Sequence, residues 1–140
     1  MIRLSTTAIT VVVYLGLTTA TTLHAQERLR TGMWENTVTI SSGLTSTRSS
    51  CLKPADAATT NGSPAIVRAA TEKGLLKSGC TLKDFKLDGD NMTQAMVCGS
   101  STMVIETKFH DGDSFETTST STDDGVKRVT RIKGRRTGAC

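Results

Sequence analysis

Aromatic residues make up only 4% of the 140-residue chain: one Trp, one Tyr and three Phe. That is too few for the stacking platform that single-stranded nucleic acid requires. Histidine is scarcer still. Of the two present, His24 falls in an N-terminal leader and His110 remains. One histidine excludes a two-histidine metal site within one chain, and any Ser-His-Asp triad must use His110 or fail. His110 stands beside Asp111 and Gly112 in a turn pattern, where an exposed histidine is the expected reading. There is no C-x-x-C pair, so zinc and thioredoxin-like redox chemistry lose their usual spacing. G-x-G-x-x-G, P-loop and G-x-S-x-G patterns are missing as well. The residues therefore point to no cofactor, no metal and no catalytic constellation. A long apolar run is also lacking. The longest, Ile9 to Leu17, follows the basic start Met1-Ile2-Arg3 and precedes Leu23-His24-Ala25. This is the pattern of a secretory signal peptide over 1–25, too short to span a membrane.

What remains, 26–140, has room for one domain. The formal charge of +4 falls to +3 once Arg3 leaves with the leader. All four cysteines, Cys51, Cys80, Cys98 and Cys140, lie in the mature region. An even count in a short exported chain reads as two disulfides and a periplasmic or secreted location. Three pairings are open. Loop-closure entropy does not separate them, because the summed estimates for 80–98 with 51–140 and for 51–80 with 98–140 are both about 8 kcal/mol. Cys80 and Cys98 sit symmetrically about Gly89, where residues opposed on a hairpin would lie within disulfide reach. That favours Cys80–Cys98 with Cys51–Cys140 and leaves the other pairings open.

The hydropathy pattern is that of strands. From Met33 to Ile40, Trp34, Val38 and Ile40 alternate with Glu35, Thr37 and Thr39. Leu44–Leu52 can return as a polar second strand, with a break at Lys53-Pro54. Ser63-Pro64 has the form of an N-cap followed by a first-turn proline, so one short helix is expected from Ala65, ending at Gly74 or Gly79. From Cys80 onward strands alternate with Asp-Gly turns at 88–89, 111–112 and 124–125. The expected fold is mainly β: an antiparallel meander forming a curled sheet or small open barrel, with one short helix between the second and third strands. Serine and threonine supply 30 of the mature residues, a bias that exposed strand faces explain.

Two carboxylate doublets, Asp111-Gly112-Asp113 and Asp123-Asp124-Gly125, could hold calcium or serve acid–base chemistry. Neither matches the twelve-residue calcium loop, and turn chemistry accounts for both. Trp34, on a regular apolar strand face, is expected in the core. The sequons at Asn61 and Asn91 read as chance matches if the source is bacterial. The clearest charge feature is basic: Lys127, Arg128, Arg131, Lys133, Arg135 and Arg136 fall within ten residues containing no acid. One reading is a solvated edge strand guarded by cations. The sharper reading is an anion-facing patch for an envelope component.

Four stretches carry a family resemblance. They are Arg30-Thr31-Gly32-Met33-Trp34-Glu35 before a Val-Thr strand, Cys51-Leu52-Lys53-Pro54-Ala55-Asp56, Cys80 with the hairpin ending at Cys98, and the terminal Gly134-Arg135-Arg136-Thr137-Gly138-Ala139-Cys140. In this order they resemble the domain of unknown function 3617 family of exported Gram-negative proteins. Ala139 departs from the aspartate often found there. The resemblance implies an envelope location and a compact β-rich domain, with no catalytic residues to transfer. The expected function is a non-enzymatic binding or interaction module that neither spans the membrane nor binds nucleic acid. An enzyme inhibitor is the first alternative, although an inhibitor of a cationic lysozyme should be acidic. A hydrolase built on carboxylates is the second.

Overall fold

A computed structural model of the chain describes residues 27–140, so the leader read from the sequence, and its cleavage point before Gln26, lie outside the described residues. The elements are β1 (Gly32–Ile40), β2 (Thr45–Leu52), α1 (Pro54–Thr60), α2 (Pro64–Lys77), β3 (Cys80–Asp88), β4 (Asn91–Cys98), β5 (Ser101–His110), β6 (Ser114–Asp123) and β7 (Val126–Gly138). All seven strands form one open antiparallel sheet in the order β2-β1-β7-β6-β5-β4-β3. The expected meander is therefore present from β3 to β7, and β1 then adds beside β7. The sheet does not close into a barrel.

Turn chemistry sets the hairpins. At Asp111-Gly112 both residues have positive φ (51° and 74°), and at Asp124-Gly125 the values are 46° and 78°. Two successive positive φ angles define the type I′ turn, whose twist matches that of the strands it joins. Aspartate tolerates this conformation and glycine adopts it freely, so backbone geometry accounts for Asp111 and Asp124, while Asp113 and Asp123 take side-chain partners in Arg30 and Ser101.

Two features differ from expectation. Lys53-Pro54 does not simply break the chain: proline occupies the first position of α1, where its missing N–H costs nothing. The segment between β2 and β3 is thus two helices. The second starts as expected, with Ser63 Oγ accepting the Ile66 amide, and runs through Gly74 to Lys77. In addition β7 is no edge strand. It lies between β1 and β6, and the edges are β2 and β3.

One sheet face carries the core. Strand register places Trp34, Met96, Phe109, Phe115, Ile132 and Cys80 on that face. Trp34 is 3% exposed and Phe109 5%, while Ala57 of α1 and Val67 of α2 are buried with them. The rings of Trp34 and Phe109 flank Phe115, with centroids 5.7 and 6.5 Å from it. Gly134 is required beside this cluster, because a Cβ there would lie 2.1 Å from the Phe115 ring. Disulfides join Cys51 to Cys140 and Cys80 to Cys98. The second closes the β3–β4 pair at its register partners. The first ties edge strand β2 to the end of interior strand β7, across the start of β1.

Candidate functional site: the charged face around β7

Strand alternation divides the basic segment between two faces. Lys127, Arg131, Lys133 and Arg135 share the face opposite Ile132, whereas Arg128 and Arg136 lie on the core-side face. As the central strand of a β1–β7–β6 ribbon, β7 offers its odd-numbered side chains to acids on both neighbours. Glu35 of β1 is the register partner of Arg135, and their side chains pair at 3.0 Å. Glu116 of β6 is the partner of Lys133, also at 3.0 Å. The Lys133 ammonium, by its hydrogen bond first and its charge second, holds the Glu116 carboxyl below its ordinary value, and His110 and Lys108 add to the effect. Both pairs are solvent-exposed, where an ion pair contributes little to stability. Their effect is on the charge displayed by the surface.

Arg136 serves the fold. Its Nε donates to the Thr31 carbonyl at 2.7 Å, and a second guanidinium nitrogen lies 3.9 Å from Asp113. Arg30 pairs with the same carboxylate at 2.6 Å. These contacts belong to an N-terminal arm, Glu27–Thr31, laid across the sheet's end. Arg28 donates to the carbonyls of Thr60, Gly62 and Gly89. Asn61 exchanges two hydrogen bonds with the Leu29 backbone, at 3.0 and 2.8 Å. Between arm and α1 lies a cleft of about 450 Å³, lined in part by Leu29, Ala57 and Arg136.

Among the described residues, Lys127, Arg128 and Arg131 form no ion pair. The free positive charge of β7 thus concentrates towards the β6–β7 turn, with Lys127 and Arg131 on the charged face. Lower on that face is a hollow of about 390 Å³ bordered by Glu35, Glu116, His110, Lys133 and Arg135. Its two carboxylates each already face a cation. No group of three or more His, Cys, Asp or Glu able to hold a metal occurs among the described residues.

Sequence reasoning located the six cations but missed what neutralises them. Arg135 lies 100 residues from Glu35, and nothing local links the two. Arg28 and Arg30 were missed entirely, since their partners are mostly backbone carbonyls in distant turns. A period-2 reading of β7 alone does separate Lys127, Arg131, Lys133 and Arg135 from Arg128 and Arg136.

Comparison with curated proteins and with solved structures found no match. A family model matches residues 29–140, covering the last part of the arm, both helices, all seven strands and the terminal cysteine. The chain belongs to the family described as Protein of unknown function (DUF3617).

Proposed function

We propose that this protein is an exported, non-enzymatic binding module of the cell envelope, and that it meets an anionic group with the β7 face. The observation carrying this reading is the pair Lys127 and Arg131, which share that face without an acidic partner among the described residues. Arg131 stands between β1 and β6, opposite Thr39 and Thr118, and Lys127 stands opposite Thr122 beside the β6–β7 turn, so both cations project from the same face of the sheet. Two disulfides suit an oxidising compartment. No helix among the described residues is long and apolar enough to cross a membrane. The non-catalytic part of the reading is supported by the carboxylates bordering the hollow. A general acid needs a raised pKa, whereas Glu116 is held in its ionised form by Lys133.

The test is binding of the mature, disulfide-bonded protein to vesicles of phosphatidylglycerol in phosphatidylcholine, compared with phosphatidylcholine alone. Binding should require the anionic lipid and weaken with salt. The double variant Lys127→Gln/Arg131→Gln should lower affinity about 30-fold, at roughly 1 kcal/mol per surface charge, and flatten the salt dependence. Equal binding to both vesicles, or a double variant that binds like the parent, would remove the anion-facing reading.

A further inference from the structure

The two edges of the sheet are built differently. Edge strand β3 carries Lys83, Asp84, Lys86 and Asp88, has a bulge between Leu82 and Asp84, and packs against α2. Charge, bulge and cover are three of the ways in which proteins keep an edge from pairing with another chain. Edge strand β2 has neither bulge nor cover and carries a single charge. Its eight residues, Thr-Ser-Thr-Arg-Ser-Ser-Cys-Leu, pair with β1 without a bulge, and Thr45 through Cys51 are all exposed. Arg48 is its one charge. Among the described residues, no element besides β1 makes more than slight contact with it.

The direction of its backbone groups follows from the turn before it. The Ile40 amide donates to the Leu44 carbonyl at 3.0 Å. Hydrogen-bonded and non-hydrogen-bonded pairs alternate along an antiparallel ladder. Even-numbered residues of β2 therefore turn their N–H and C=O towards β1, and Thr45, Thr47, Ser49 and Cys51 turn theirs outward.

We propose that β2 is a strand-addition surface, and that its occupant is β2 of a second copy, paired antiparallel about a two-fold axis. Such an edge is self-complementary, as an isologous contact requires. Outward groups on odd residues meet outward groups on odd residues. Opposed hydroxyls are already the side-chain arrangement β2 uses towards β1, where Thr37 meets Thr47 at 3.2 Å and Thr39 meets Thr45 at 3.3 Å. A second β2 supplies the same hydroxyls, and hydroxyl pairs stabilise antiparallel neighbours. Register is selected by charge. Pairing centred on residue 48 would set Arg48 against its copy. Pairing centred on Thr47 or Ser49 retains the odd-to-odd hydrogen bonds and sets Arg48 against Ser46 or Ser50. A single strand–strand contact falls at the small end of interfaces, below about 1,200 Å², so the dimer is reversible and concentration-dependent.

Sedimentation equilibrium of the mature, disulfide-bonded protein, from low micromolar to near-millimolar concentration, tests this. The weight-average mass should rise from monomer towards dimer. Thr47→Pro removes an outward N–H that the sheet does not use, a position where an edge strand accepts proline. It should weaken association at least about 10-fold, the loss expected from the two hydrogen bonds, one per copy, that the two-fold pair gives up. Should Thr47→Pro fail to fold, Ser49→Lys places a guarding cation on the same edge and should act likewise. Lys73→Gln, on α2 beside the opposite edge strand β3, should associate like the parent. A chain that stays monomeric throughout, including one that takes up an unrelated acidic strand peptide instead, would overturn the proposal. So would a dimer indifferent to both edge variants, or one lost in Lys73→Gln.

Discussion

The corner of the sheet where the N-terminal arm lands and the corner diagonal from its helices obey different rules. At the first, Trp34 and Phe109 are buried, Phe115 lies between them, and Arg28 and Arg30 bond to turns more than thirty residues away. At the second, where β1, β2 and the β6–β7 hairpin end, Ile40 is 44% exposed, Val126 53% and Leu44 70%. The ladder is continuous at both, with a single irregularity, between Met33 and Trp34, at the first. What differs is whether anything lies across it. A chain with so few large apolar side chains buries little, and this one gathers Trp34, Phe109 and Phe115 near the end its arm crosses. Towards β3 and β4, Met96 and Cys80 are buried as well, whereas the end where β1 passes into β2 is held by backbone pairing and remains surface.

That contrast is most severely tested by paired truncations. Trp34→Ala should cost about 3–5 kcal/mol, the range for removing a large aromatic from a core. Ile40→Ala, at the bare corner, should cost under about 1 kcal/mol, as at other exposed sites. Denaturant midpoints of the two variants measure the difference. Similar losses would mean that the bare corner carries core-like packing.

The staples come next. Replacing Cys51 and Cys140 by alanine opens a loop with a sequence separation of 89, and replacing Cys80 and Cys98 opens one of 18. Chain entropy assigns about 4.6 and about 3.2 kcal/mol to these closures, with measured effects more often about 2–4. The first loss should therefore exceed the second, and limited proteolysis of the first variant should begin in β2, whose tie to β7 is gone. Equal losses with cleavage elsewhere would show that the β1–β2 ladder holds the edge unaided.

Much of this molecule was legible from pattern alone. Period-2 hydropathy located β1 and most of the strands from β3 to β7, and Asp-Gly doublets located three of the four hairpins that connect them and bracketed the polar β6. These signals are local, set by pleat and turn geometry within about ten residues. Strand order was not local. That β1 adds beside β7, making the basic strand an interior one, depends on which exposed edge the first hairpin reaches. No residue of Val126–Gly138 announces it. α1 was hidden because Lys53-Pro54 reads equally as a break or as a helix start, and seven residues of alanine, threonine and aspartate carry no apolar stripe. For the site, the cations were visible and their neutralisation was not, since Glu35 and Glu116 reach β7 only through register.

The smallest effect sharpens the account of the charged face itself. Lys133→Gln removes the principal cause of Glu116's depressed pKa, so a side-chain carboxyl titration followed by NMR should show it rising towards its ordinary value of 4.5. Burial, which raises the value, then opposes the weaker pull of His110 and Lys108. The sign for stability follows from linkage. A carboxyl depressed by folding contributes stability that is present above its unfolded value and is lost as pH falls through the folded one. The parent should thus hold a slight advantage over Lys133→Gln at neutral pH, and that advantage should vanish only in the acid range, below 4.5. Both side chains are more than half exposed, so water and salt screen most of the interaction and the melting temperatures should nearly coincide. A Glu116 titration unmoved by the substitution would show that Lys133 does not govern this carboxylate. The charge displayed on the β7 face would then be that of free cations, and Lys133 would join Lys127 and Arg131 in meeting an anion.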